Sequence, residues 1–191
     1  SNLKKSICDI ISQDNVDDIK TILLIISNIS NNHFRTPSFF NKIEQILLLI
    51  KPQILKYFAD IDIFKIFRKD KRILLLLIEN KILKVDQSIT DICLTTKYIK
   101  RNYPQYFYTE IKPFLDQQQI ENYSIGFDEK FEKNRKIGEN ENHICIVIRN
   151  DDIDEFITYV NKNMISINAK IEISMFETNP MLLKSIPCLI E

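Results

Sequence analysis

Apolar residues recur every three or four positions between Val16 and Ile29, a spacing that places them along one side of a helix. The set comprises Val16, Ile19, Ile22, Leu23, Ile26 and Ile29. Asp14 or Asn15 can cap this helix, because a short side-chain oxygen accepts from the backbone N–H groups that a first turn leaves free. The Asn- and Ser-rich stretch from Asn28 to Pro37 is typical of a loop.

A second helix is predicted after Ser38, which can serve as its cap. Its apolar side comprises Phe39, Phe40, Ile43, Ile46, Leu47 and Ile50. Pro52 has no N–H to donate and its ring crowds the preceding turn, so the helix is expected to break or kink there and a new one to begin.

Two short helices are predicted at Ile61–Phe67 and Ile73–Ile78, with a polar turn between them. The second run is apolar all round, which places it in the middle of the core. A buried β-strand remains the alternative for a six-residue apolar run, because periodicity cannot decide so short a stretch.

Later helices are predicted from their end signals. The residues from Ser88 to Asp91 form a possible capping box. Phe114 to Ser124 is expected to be helix and then loop. Asp128 to Lys136 carries Glu and Lys four apart, as on an exposed helix, and Gly138 is a plausible C-terminal cap.

The segment from His143 to Asn163 predicts two helices joined by a tight polar turn at Arg149 to Asp152. Asp152 and Glu155 form a capping box for the second helix, and Asn163 stands where a left-handed cap is expected. The side chains expected to be buried on the inner faces are Ile144, Ile148, Ile153, Phe156, Ile157 and Val160.

This segment resembles a degenerate ankyrin repeat. The stretch from Asp151 to Val160 is similar to the turn and outer helix of that family, and Asn142 to Ile144 stands at the position of the family's Thr-Pro-Leu-His opening. Asp151 and Asn163 stand where the family has glycines. Cys188 to Glu191 would open the next repeat, 46 positions after Asn142, against about 33 in a standard repeat. An insertion between Ser166 and Ser185, and a fragment that stops before an ankyrin array, are therefore expected.

The wider chain resembles the N-terminal region of divergent ankyrin-repeat proteins of eukaryotic microbes, in a family with a domain of unknown function. The passages that carry this likeness begin at Phe39, Tyr103 and Arg135. The helical patterns and the scarcity of glycine predict an all-α fold, with short antiparallel helix pairs stacked as an irregular solenoid that ends in the ankyrin-like repeat. The resemblance implies an N-terminal helical domain at 1–136 and the ankyrin-like part at 137–191. It also implies an interaction scaffold that caps an ankyrin array and supplies no catalytic residues.

The overall composition narrows the functional classes. Lys+Arg and Asp+Glu are both 26, so no long-range field attracts phosphates or an acidic membrane. Only two glycines occur, whereas Rossmann folds, P-loops and nucleophile elbows require glycine. The four cysteines are far apart in sequence and are interpreted as unpaired thiols in a reducing compartment. With no signal peptide and no long apolar run, an intracellular, cytoplasmic protein without a membrane span is expected.

No metal, cofactor or catalytic site is predicted. His143 and Cys145 are two apart, but a zinc site needs four ligands and no second pair is present. His33 is isolated in a loop. With two histidines and no elbow motif, no nucleophile, base and orienting group can be assembled.

The stretch from Lys97 to Tyr108 interleaves cations with aromatic residues. Such a pattern could bind phosphates and stack bases, so a nucleic-acid-binding helical domain is the alternative function. The simpler interpretation is that the aromatic residues pack a helix corner and the lysines are solvated. The candidate interaction surface comprises Lys97, Lys100, Arg101, Tyr103, Tyr106 and Tyr108.

Overall fold

The computed structural model describes residues 15–32, 36–124, 126, 128–166 and 168–179. Within these residues the chain is all-α with no β-strand, which confirms the predicted fold class. The helices are α1 (Val16–Asn32), α2 (Pro37–Leu49), α3 (Lys51–Tyr57), α4 (Asp60–Phe67), α5 (Lys71–Glu79), α6 (Gln87–Cys93), α7 (Thr96–Ile99), α8 (Tyr103–Tyr106), α9 (Tyr108–Ile111), a 3-10 turn (Lys112–Phe114), α10 (Gln117–Tyr123), α11 (Glu129–Ile137), α12 (His143–Arg149) and α13 (Ile153–Lys162). The described helices include none long and apolar enough to cross a membrane.

The chain divides into two compact units, here called the first unit (1–93) and the second unit (94–191). The predicted domain boundary at 136/137 is based on the resemblance to an ankyrin repeat, whereas the two units are defined by compactness. The boundary stays a prediction, and the stacking of helix pairs as a solenoid also stays a prediction. Asp14, His33, Cys8 and the stretch from Cys188 lie outside the described residues.

In the first unit, α1 buries Ile19 and Leu23 and packs against α3 and α4. The Ser27 hydroxyl donates to the Ile66 carbonyl at 2.8 Å, which ties α1 to α4. The expected loop from Asn28 is wrong at its start, because α1 continues to Asn32. The side-chain amide of Asn32 donates back to the carbonyl of residue 28 at 2.9 Å, and the buried Ser30 keeps this last turn against the core.

Two of the predicted caps are wrong by two residues. The hydroxyl of Thr36, and not Ser38, accepts from the Phe39 N–H and begins α2. Asp86, and not Ser88, accepts from the Ile89 N–H at 2.9 Å at the start of α6. That hydrogen bond, with a second from the Ser88 hydroxyl, holds the pKa of Asp86 below its ordinary value. Three other cap predictions are confirmed: Asn15 for α1, Pro52 in the first turn of α3 and Gly138, left-handed at φ 71°, after α11.

Helix α5 lies in the core of the first unit. Ile73, Leu74, Leu75 and Leu77 are fully buried, so the helical interpretation is confirmed and the strand alternative is wrong. Asp70 begins the helix by accepting from the N–H groups of two residues of its first turn. Because these groups would otherwise be buried without partners, the carboxylate fixes where the helix starts.

The core of the second unit is an aromatic cluster. Tyr98 and Tyr103 meet edge to face with ring centroids 4.9 Å apart, and Tyr106 and Phe107 do the same at 4.9 Å. Asn102 turns the chain between α7 and α8 with a left-handed φ of 58°, a conformation that Asn tolerates. Edge-to-face packing of this kind stabilises a core beyond the area it buries.

A buried arginine fastens α11 to this cluster. The Arg135 guanidinium donates to Glu110 Oε2 at 2.8 Å and to the Tyr106 carbonyl at 3.1 Å. The Tyr106 hydroxyl donates in return to the Arg135 carbonyl at 3.0 Å. Burial opposes the charge, but the hydrogen bond and charge of Glu110 outweigh it and raise the pKa of Arg135. The guanidinium therefore stays charged and joins three helices.

Candidate interaction surfaces

The basic and aromatic stretch predicted from sequence is divided by the fold. Lys97 and Lys100 are exposed and Arg101 is half-buried. Tyr103 and Tyr106 are fully buried, and Tyr108 is 4% exposed. The tyrosines of the candidate surface therefore belong to the core, as the simpler interpretation expects.

A base cannot stack on these tyrosines, because their faces are already in contact with protein. The Tyr103 ring lies between Tyr98 and Phe107, with centroids 4.9 and 5.5 Å away. Single-strand binding needs exposed aromatic faces beside the cations. In this stretch Lys97 and Lys100 are exposed, but the tyrosines of the candidate surface offer no exposed ring face beside them.

The α12–α13 hairpin forms where the sequence predicts it. The N–H of Glu155 donates to the Asp152 carboxylate at 3.0 Å, which caps α13. The other half of the predicted capping box is replaced, because the Glu155 carboxylate lies 3.1 Å from His143 Nε2. The His143 ring also lies 4.6 Å from the Tyr159 ring. One histidine thus joins the start of α12 to the first turn of α13 and to Tyr159, one turn further along that helix.

The ends of α13 differ in part from the prediction. Asp151, where the resemblance to an ankyrin repeat places a glycine, is left-handed with φ 55°. Asn163 has φ −97°, and the left-handed residue is Met164 with φ 50°. The prediction for Asn163 is therefore wrong by one position, because the helix holds Asn163 in its C-cap and turns one residue later.

The predicted inner faces of the hairpin are wrong at three positions. Ile148 is 44% exposed, Ile157 51% and Ile153 65%. Ile144, Phe156 and Val160 are half-buried, and Val147, which was not predicted, is the buried residue of α12. The pattern identified apolar residues correctly, but their burial depends on what covers them, which periodicity does not encode.

Ile153, Ile157 and Val160 form a stripe along α13, which we call the α13 stripe. They lie four and three positions apart, so they share one side of the helix. Met164, 92% exposed, follows just after the helix. Such clustered apolar exposure marks an interaction site more often than scattered single residues do. The first unit also exposes apolar side chains, including Leu24, Ile25, Leu48 and Leu55.

A groove of about 240 Å³ opens beside the start of α12. Its walls include His143, Tyr159 and Lys170, and Ile144 and Ile171 provide apolar surface.

Residues 168–179 are held on this side of the unit by hydrogen bonds to the loop after α11. The Asn140 amide donates to the Glu172 carbonyl at 2.8 Å, and the Thr178 hydroxyl donates to the Gly138 carbonyl at 2.8 Å.

The groups that could carry chemistry are dispersed. No three His, Cys, Asp or Glu side chains in the described part of the chain are grouped to hold a metal ion. Burial raises the pKa of the Cys145 thiol, although Arg149 nearby lowers it. Burial raises the pKa of Cys93 to about 12. Neither thiol gains thiolate character from its surroundings, and thiolate is the reactive form.

Comparison with protein-family models, with curated proteins and with solved structures finds no match for this chain.

Proposed function

We propose that this chain is a non-enzymatic helical scaffold that mediates protein–protein interaction and forms the N-terminal cap of an ankyrin-repeat array. The observation that supports it best is the α13 stripe, where two isoleucines on one side of a helix are more than half exposed. Apolar surface of this kind is stabilised when another element covers it. In a stacked array, the next repeat or a partner supplies that cover.

The resemblance of 142–163 to an ankyrin repeat is a second support. The helix, turn, helix order and the left-handed Asp151 agree with what that resemblance implies. Terminal units of such arrays carry a polar outer face, which keeps the end of the stack in water. Hydrophilic side chains dominate α11, which the scaffold proposal assigns to that outer surface.

Affinity capture with paired variants tests the proposal. The baits are the unaltered chain, Ile153→Asp/Ile157→Asp, and the matched control Leu48→Asp/Leu55→Asp, which alters exposed apolar residues of the first unit. Proteins captured by the unaltered chain and the control, but lost from the α13 variant, are the expected result. Equal capture by all three baits, or no capture by any, would contradict it.

The alternative, a nucleic-acid-binding domain, rests on Lys97, Lys100 and Arg101 without the tyrosines. Its test is electrophoretic mobility shift with single-stranded RNA at low salt, using Lys100→Glu/Arg101→Glu. Because the tyrosines are buried, we expect no shift with either chain. Salt-dependent binding that the double variant abolishes would favour the alternative.

A further inference from the structure

We propose that the α13 stripe binds a basic amphipathic helix of a partner protein. This inference rests on the scaffold function proposed above and specifies the chemistry of the partner.

The shape of the stripe favours a helix as the occupant. From Ile153 to Val160 the stripe spans two turns, about 10 Å of helix axis. It lies along the exposed side of a helix, so an occupant must meet it side by side. A second helix does this by placing its own side chains, three and four apart, between those of α13.

The charges beside the stripe favour a basic partner. Asp151 and Asp154 are exposed and form no ion pair with any described residue. Asp154 directly follows Ile153, and Asp151 lies in the turn that leads into the helix. Residues 150–161 contain four carboxylates and no Lys or Arg.

The cations next in sequence on either side do not neutralise this border. Arg149 is engaged by Glu139, with Nε and Oε2 2.9 Å apart. Lys162 lies five positions after Ile157, which puts it on the opposite side of α13. An apolar stripe with an acidic border is complementary to an aliphatic stripe with lysines or arginines beside it.

The same charges disfavour a second copy of this chain as the occupant. In a symmetric dimer each stripe would meet the same stripe, and its acidic border would add to that of the partner. No Lys or Arg within residues 150–161 would offset this repulsion. A separate protein that carries the opposite charge avoids the penalty.

Fluorescence anisotropy with two designed peptides tests the inference. Both peptides are helical, about 14 residues long, with the same leucines three and four apart. One carries lysines beside the leucines and the other carries glutamates. Each is titrated with the full chain, with Asp151→Asn/Asp154→Asn, with Ile153→Ser/Ile157→Ser, and with the control Leu48→Ser/Leu55→Ser. Circular dichroism checks that every variant is folded.

We expect the lysine peptide to bind at least about tenfold more tightly than the glutamate peptide. The asparagine variant should weaken its binding about fivefold or more, the serine variant of α13 should abolish it, and the control should leave it unchanged. The affinity should also fall as salt rises from about 50 to 300 mM, since exposed charges are screened.

Two results would overturn the inference, and they differ in what they leave standing. If both peptides bind equally and the α13 serine variant abolishes both, the stripe is a docking surface without charge preference; the scaffold function survives and the basic partner does not. If neither peptide binds and sedimentation shows a dimer that Ile153→Ser/Ile157→Ser dissociates, the occupant is a second copy.

Discussion

Helix α5 and the α12–α13 hairpin are built from the same kinds of aliphatic residues, yet they meet opposite surroundings. In α5, Ile73, Leu74, Leu75 and Leu77 are fully buried inside the first unit. In the hairpin, Ile148, Ile153 and Ile157 are each more than two-fifths exposed. An apolar run therefore favours burial of a helix face. Whether that face is buried depends on the elements that pack against it.

Polar contacts follow the same division. Arg135 is buried and its partner Glu110 is nearly so, with side chains 5% and 13% exposed. His143 and Glu155 make a pair of similar length, at 3.1 Å, but about half of each side chain is exposed. Water competes with the second pair and hardly with the first, so the two should contribute very differently to stability.

Truncation of a buried aliphatic residue should have the largest effect. Leu74→Ala is expected to lower the free energy of unfolding by about 3 kcal/mol, because it removes buried surface and leaves a cavity. Ile157→Ala should cost less than about 1 kcal/mol, since that side chain is half exposed. Urea denaturation followed by circular dichroism measures both. Equal losses would show that Ile157 is covered in solution, which contradicts the comparison.

Loss of the buried arginine should come next. Arg135→Met keeps much of the aliphatic volume but leaves Glu110 and the Tyr106 carbonyl without their donor, so a cost of about 2–3 kcal/mol is expected. Tyrosine near-ultraviolet dichroism should weaken too, because Tyr106 belongs to the aromatic cluster. If the variant were as stable as the unaltered chain, the attraction between Arg135 and Glu110 would only offset the cost of removing both charges from water.

Alkaline pH should destabilise the unaltered chain more than a variant that lacks the buried thiol of Cys93. The folded pKa of Cys93 is about 12, raised by burial from an ordinary value of 9.0. A raised pKa means that its stability contribution is complete below pH 9 and is lost as pH rises toward 12. Between pH 8 and about 10.5 the unaltered chain should lose about 2 kcal/mol more than Cys93→Ala. Parallel pH profiles of the two chains would show that Cys93 is accessible.

The exposed histidine pair should have the smallest effect. His143→Ala is expected to change the free energy of unfolding by less than about 1 kcal/mol, because both partners are solvated and the pair is screened. The matched variant Glu155→Gln should behave alike. A loss comparable to that of Arg135→Met would mean that the hairpin is packed more tightly than its exposure indicates.

The sequence predicted helices well where local signals were strong. Asn15, Pro52, Asp152 and Gly138 each act through their own backbone or the next turn, so the helix ends they set can be identified without the rest of the fold. Thr36 and Asp86 were missed in favour of Ser38 and Ser88. In both cases a competent cap residue stands two positions earlier, and the choice between two such residues depends on where the helix packs.

The candidate site was much harder to predict. Tyr103 and Tyr106 each have a hydroxyl and occur beside cations, as surface residues often do. In the part of the chain that the structure describes, they are nevertheless the largest fully buried side chains. The Arg135 carbonyl that receives the Tyr106 hydroxyl is 29 residues away in sequence, so no local pattern could reveal it. The exposure of Ile153 and Ile157 was missed for the related reason that amphipathic spacing looks the same whether or not a cover is present.

By itself, the sequence determined the all-α class, the helical hairpin at 143–162 and the helix ends at Asn15, Pro52, Gly138 and Asp152, because helix periodicity and capping act between residues a few positions apart. The tertiary structure alone decided which apolar residues form the core and which form the α13 stripe. It also decided that Tyr103 and Tyr106 pack inward and that Arg135 is buried. These outcomes depend on contacts between residues distant in the chain, and the free energy of those contacts is set by burial rather than by sequence spacing.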